Sequence, residues 1–140
     1  MDDTANLARD LVTKIGQAKK TDGQALAVCF YGDLGSGKTT FVQFLAKALG
    51  IKENITSPTF VIQKNFTILQ LFPFSRLIHL DCYRINDPAE MTVLRWEETL
   101  ADPHNLLVIE WPERIKSLLP KNCLNIKFTF VDETTREIDI

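Results

Sequence analysis

The sequence predicts an α/β protein with a mainly parallel central sheet, antiparallel additions and helices on both faces. Three observations carry this: unbroken apolar runs of strand length, a glycine-rich loop set between one such run and a helical pattern, and a C-terminal stretch that alternates apolar and polar residues. Unbroken runs suit parallel strands covered on both sides, whereas alternation suits a strand with one wet face.

Taken in order, Leu7, Leu11 and Ile15 recur every four residues after Thr4, a candidate N-cap. They predict an amphipathic helix that ends near Gly16 and lies against the sheet. Residues 25–31 form a continuous apolar strand that feeds directly into the glycine-rich loop. Beyond the loop, Phe41, Phe44, Leu45 and Ala48 keep helical spacing until Gly50 stops the helix. Segments 59–62, 66–72 and 77–83 are rich in β-branched and aromatic residues and predict at least two strands, with Pro73 and Ser75 marking a connection. Asp87, Pro88 and Glu90 are placed as N-cap, first helical residue and capping-box partner. Residues 106–109 read as a buried strand that stops at Glu110. In 123–131, Leu124, Ile126, Phe128 and Phe130 share one face, and Ile138 and Ile140 are expected to pair with that strand across a turn at 132–135, at the sheet edge.

The loop itself reads Gly32-Asp33-Leu34-Gly35-Ser36-Gly37-Lys38-Thr39, a complete G-x-x-x-x-G-K-[ST] string. Its glycines permit positive φ and close approach, so successive amides can point at phosphate oxygens, and Ser36 is small enough to fit among them. Lys38 would place an ammonium on the β and γ phosphates, and the Thr39 hydroxyl would ligate Mg²⁺ at a helix start whose dipole favours anions. Strand, loop and helix in this order predict a three-layer P-loop NTPase fold. No N-K-x-D string follows, so the guanine-reading residues of GTPases are missing and ATP is the expected nucleotide.

A Mg²⁺-triphosphate site also needs a carboxylate at the end of a neighbouring strand. Two qualify, Asp81 after 77–80 and Glu110 after 106–109. One can serve the metal while the other orients or deprotonates water. The longer apolar run favours Glu110 on the metal side.

At 140 residues the chain is expected to form one domain, 1–140, burying about two thirds of its unfolded surface. A net charge of −2 offers no global attraction to nucleic acid or to an anionic membrane. No apolar run approaches ~18 residues and the start is acidic, so no membrane association and a cytoplasmic location are expected. Cys29, Cys82 and Cys123 are widely spaced and read as buried free thiols; they, His79 and His104 are assigned structural roles.

Three further strings, Thr56-Ser57-Pro58-Thr59-Phe60, His79-Leu80-Asp81-Cys82-Tyr83-Arg84 and Ile109-Glu110-Trp111-Pro112-Glu113, at their intervals after the loop, resemble the TsaE (YjeE) family over essentially the whole chain. The resemblance implies a small P-loop ATPase, needed to make N6-threonylcarbamoyladenosine in tRNA, that binds and slowly hydrolyses ATP with Mg²⁺ and acts on the TsaD–TsaB pair. It further implies nucleotide contacts from Asp33, Leu34, Gly35, Ser36, Gly37, Lys38, Thr39 and Thr40. Lys38, Asp81 and Glu110 would be catalytic, with Thr39 and Glu110 at the magnesium. A switch-like segment at Ser57 and Thr59 would face the γ-phosphate; read without the resemblance, Ser57-Pro58 is an ordinary turn before a strand. Trp111, beside Glu110, is open to three roles: core, stacking surface or partner contact.

Two departures from the family pattern stand out. Residues 66–74 are unusually apolar, which raises the expectation of a partner-facing surface, and Arg95 occupies a position commonly held by glycine. With no evident arginine finger, activity is expected to be weak alone and stimulated by a partner. A nucleotide-dependent binding switch, in which occupancy and not turnover regulates the partner complex, is the alternative.

Overall fold

The computed structural model describes residues 2–18, 23–55, 63–69, 72–120 and 123–140. Among these, six strands form one sheet: β1 (Leu26–Tyr31), β2 (Gln63–Thr67), β3 (Arg76–Asp81), β4 (Asn105–Glu110), β5 (Cys123–Phe130) and β6 (Arg136–Asp139). Their order is β2-β3-β4-β1-β5-β6. The inner four, β3, β4, β1 and β5, are parallel, and β2 and β6 flank them antiparallel. From β1 the chain passes through a helix to β2 at the sheet edge, returns antiparallel as β3 two places from β1, and β4 later fills the gap. That crossover sets the end of β4 beside the end of β1, pairing Phe30 with Glu110.

Helices α1 (Asp2–Gln17) and α2 (Lys38–Ala48) cover one face. Leu11, Ile15, Phe41 and Leu45 pack there with Val28, Phe30, Leu106 and Val108 of the sheet. The other face is covered by α3 (Trp96–Ala101) and two 3-10 segments, Pro88–Leu94 and Pro112–Leu118, over Cys29, Ile78, Leu107 and Ile109. With both faces covered, every residue of β4 is buried, as its unbroken apolar run requires.

Several local expectations need correction. Helix α1 spans Asp2–Gln17, so Thr4 lies in its first turn and does not cap it. On α2 the buried stripe is Phe41, Val42, Leu45, Ala46 and Leu49, with Phe44 and Ala48 at its margin. The strand expected over 66–72 is Gln63–Thr67, while 59–62 lies outside the described residues. Among its described residues the apolar 66–74 segment is largely core, where a partner-facing surface is the expectation from sequence. Phe66, Ile68 and Phe74 are buried, and the Phe72 ring packs against Gly16 of α1; among the described residues of this segment only Leu69 is an exposed large apolar side chain.

Asp87 does cap the first 3-10 segment, its Oδ1 accepting the Ala89 amide at 3.0 Å, but Glu90 accepts from the Asn86 amide, one residue before the expected partner. Phe130 is 53% exposed because β5 outruns β1, whose last pair is Tyr31 with Lys127. Ile138 pairs with Phe128 as expected, whereas Ile140 lies beyond β6. All three cysteines are free; Cys29 and Cys82 are buried and Cys123 half-buried. Burial pushes the Cys82 thiol up to about 12. A hydrogen bond with Cys123, then burial, raises Cys29, so both buried thiols stay protonated and unreactive.

Candidate functional site

The loop at the end of β1 is shaped by contacts that exclude side chains. A Cβ on Gly32 would lie 2.7 Å from both the Phe128 carbonyl oxygen and Ser36 Oγ. Gly37, with φ 96°, is the N-cap of α2 and supplies no side-chain cap, so the first-turn amides of α2 are open to an anion. Ser36 Oγ is buried with no hydrogen-bond partner among the described residues. An unpartnered hydroxyl inside a glycine-walled cradle suits a ligand that brings acceptor oxygens, as a polyphosphate does.

Lys38, only 5% exposed, donates to the Gly32 carbonyl and sits 3.9 Å from the centroid of the Trp111 ring. Burial lowers its pKa from the ordinary lysine value, and Glu110, Glu113 and Asp81 act in the opposite sense. The ammonium is thus held among carboxylates and over an aromatic face, ready to exchange them for a phosphate.

The two strand-end carboxylates come together. Asp81 and Glu110 are paired across β3 and β4, and alternation points both to the α2 side, as it does Leu77 and Val108. Glu110 is 3% exposed, and the Thr39 hydroxyl lies 3.0 and 3.2 Å from its two carboxylate oxygens. Hydroxyl and carboxylate oxygens are the hard donors that Mg²⁺ takes, so this pair fits that ion. Asp81 is half-buried, and its Oδ1 accepts the Tyr83 amide at 3.1 Å.

Trp111 follows Glu110 in the left-handed region, φ 57° and ψ 50°, which costs a non-glycine residue about 1–2 kcal/mol. The turn sets its indole between Lys38 and Tyr83, whose ring centroid is 5.0 Å away, and Arg114 lies over Tyr83 at 5.9 Å. Tyr83 is 41% exposed, so this stack runs from the loop lysine to the surface.

A cleft of about 270 Å³ holds Leu34, Gly35, Ser36, Gly37, Lys38, Thr39 and Thr40 of the loop together with Asp81, Glu110 and Trp111. Of the expected loop contacts, Asp33 does not line it; its carbonyl accepts the Ser36 amide at 3.1 Å and closes the turn. Ser57 and Thr59 lie outside the described residues. A hollow of about 310 Å³ beside Met91, Arg95 and Trp96 lies across the sheet from the loop, and its position rules it out as the phosphate seat.

Two residues overlooked in the sequence join the site. His79, expected to be structural, lies beside the carboxylate at the end of β4: fully buried, it places Nε2 2.6 Å from Glu110 Oε2. The signal was its spacing, two residues before Asp81 and so on the same strand face. Arg136 of β6 lines the cleft, donating to the carbonyls of Gly35 at 3.3 Å, Thr135 at 3.1 Å and Asp132, over the Phe130 ring. No local signal marks it, because the β5–β6 hairpin alone brings it to the loop. His104 keeps its structural role, bonded to Asp102 at the surface.

Sheet order, loop and strand-end carboxylates together define a protein with the P-loop NTPase fold. Comparison with known proteins is more specific: the pattern of the family described as "Threonylcarbamoyl adenosine biosynthesis protein TsaE" matches residues 1–138. The chain belongs to the TsaE family. It is 40% identical over 113 residues to the tRNA threonylcarbamoyladenosine biosynthesis protein TsaE of Nostoc sp., covering 78% of this chain and 65% of that protein, just under two thirds of its length. The protein of the same name from Rickettsia typhi is 38% identical over 112 residues, covering 78% of this chain and 72% of its own. Among solved structures, the crystal structure of Bacillus subtilus YdiB superposes with a TM-score of 0.69 at 26% identity, covering 98% of this chain and 76% of that one.

Proposed function

We propose that this protein is the ATP-binding and ATP-hydrolysing component of the machinery that makes N6-threonylcarbamoyladenosine in tRNA, acting on a TsaD–TsaB complex and reaching tRNA through it. Family membership and the names of the relatives support the pathway. The observation that carries the chemistry is the Thr39–Glu110 contact beside Lys38 at an uncapped helix start. In this reading the open amides and Lys38 hold the β and γ phosphates. Thr39 and Glu110 hold Mg²⁺, which when bound offsets charge on the phosphates. Asp81 orients the attacking water and accepts its proton. Among the described residues no helix is long and apolar enough to cross a membrane.

Arg136 is tied to backbone carbonyls, so the reading leaves the transition-state charge to a partner, a lack that costs ~10³–10⁵ in rate. Mg²⁺-dependent ATP hydrolysis, measured with and without TsaD–TsaB, is the test. Stimulation that vanishes in Lys38→Ala supports the proposal; an unchanged rate sinks the partner-activated reading.

One observation favours the switch alternative. Lys38 rests on Trp111, so moving the ammonium to a phosphate would release the Trp111–Tyr83 stack that reaches the surface. A non-hydrolysable analogue separates the two: support for repeated rounds of tRNA modification favours the switch, and support for complex assembly alone favours hydrolysis.

A further inference from the structure

We propose that His79 is a positioning residue for the proposed hydrolysis, holding the Glu110 carboxylate in the orientation that meets Thr39. The inference rests on the reading of Glu110 as the metal-side carboxylate. His79 lies in the middle of β3, paired with Val108, one step inward from the Asp81–Glu110 pair. It is fully buried in a layer otherwise built from Leu77, Leu106 and Val108, where an aliphatic residue would pack without any polar cost. Its Nε2 is 2.6 Å from Glu110 Oε2, and because an ionised carboxylate only accepts, Nε2 carries the hydrogen and donates it. Its Nδ1 has no partner among the described residues, so the contact with Glu110 is the one that accounts for an imidazole here.

Glu110 has three rotatable side-chain bonds and, among the described residues, two side-chain hydrogen-bond partners, Thr39 and His79. Thr39 belongs to the loop and must answer to the ligand as well. His79 is anchored in the sheet and has no other side-chain hydrogen-bond partner among the described residues, so it supplies the fixed point. Hydrogen-bonded supports behind a ligating carboxylate change metal affinity by about 10–100-fold when removed.

The test uses the full chain and reads Mg²⁺ binding to its nucleotide complex by calorimetry, with turnover and thermal melting alongside. His79→Leu is expected to weaken Mg²⁺ by about 10–100-fold while metal-free nucleotide binding stays within about twofold. His79→Gln, whose amide nitrogen reaches the place of Nε2, is expected to recover most of the affinity, and His79→Asn, which reaches only the place of Nδ1, is not. If His79→Leu fails to fold, the Gln and Asn pair decides: equal Mg²⁺ affinity in the two overturns the inference. Glu110→Gln separates the levels of failure. If it loses Mg²⁺ while His79→Leu binds like wild type, His79 has no positioning role and the reading of Glu110 stands. If Glu110→Gln binds Mg²⁺ normally, that reading falls and takes the inference with it.

Discussion

Replacing Phe41 by alanine probes how the core supports the loop. Phe41 sits in the first turn of α2, 1% exposed, with its ring 5.6 Å from Phe30 and 5.5 Å from Phe128, edge-on to both. Phe30 and Phe128 are themselves 5.1 Å apart, and the Phe128 backbone oxygen walls the Cα of Gly32. Three elements therefore meet in one aromatic triangle directly under the phosphate cradle. Truncating a buried phenylalanine costs about 3–5 kcal/mol. Two lost edge contacts, each about 0.5–1.5 kcal/mol, place Phe41 toward the top of that range. At 140 residues and about 2.1 cal/mol/K of unfolding entropy per residue, 1 kcal/mol moves the melting point by roughly 3.4 °C, so the expected drop is about 10–17 °C. Thermal denaturation followed by circular dichroism measures it, with Phe41→Leu as the volume-conserving control, expected to lose less than about 1.5 kcal/mol. A drop below about 5 °C for the alanine variant would mean that the triangle is not a cooperative part of the core.

Four other outcomes are expected. Lys38→Ala should abolish productive triphosphate binding; undiminished ATP affinity by equilibrium titration would refute this. Glu110→Gln keeps the shape and still accepts from His79, while its amide donates to the Thr39 hydroxyl where the carboxylate accepted from it, so it should melt within about 3 °C of wild type and bind nucleotide, yet lose Mg²⁺-dependent turnover by about 10²-fold or more. Asp81→Ala should likewise retain nucleotide and lose turnover; normal rates in either variant remove that carboxylate from the site. Arg95, φ 55° and ψ 48° at the join of the first 3-10 segment and α3, should be stabilised by up to about 1 kcal/mol on Arg95→Gly, which relieves left-handed strain but adds unfolded-state entropy; a melting point lowered by several degrees would contradict it.

That arginine also shows how sequence and structure divide the work. As a departure from the family pattern it is only an oddity, and its backbone angles explain why glycine suits the position. Residues 66–74 teach the converse. A cluster of aromatics looks like a docking surface when read alone, and joins the core once α1 meets Phe72 and Phe74 packs beside that ring. Phe130 shares a face with Ile126 and Phe128 by alternation, but alternation speaks of a face and not of where the covering layer ends.

By itself the sequence determined the strand–loop–helix unit, the parallel centre and antiparallel edge, the two carboxylates and the family, because each is written in local spacing: glycines at 32, 35 and 37 just before a lysine, apolar runs of strand length, a charge at a strand end. The sequence already favours Glu110 over Asp81 on the metal side; tertiary structure supplied the contact itself, because the meeting of Glu110 with Thr39 depends on β4 filling the place beside β1. It also decided that His79 and Arg136 belong to the site. A side chain's partner is fixed by sheet order and register, and those are settled by packing between segments far apart in the chain, where local periodicity carries no information.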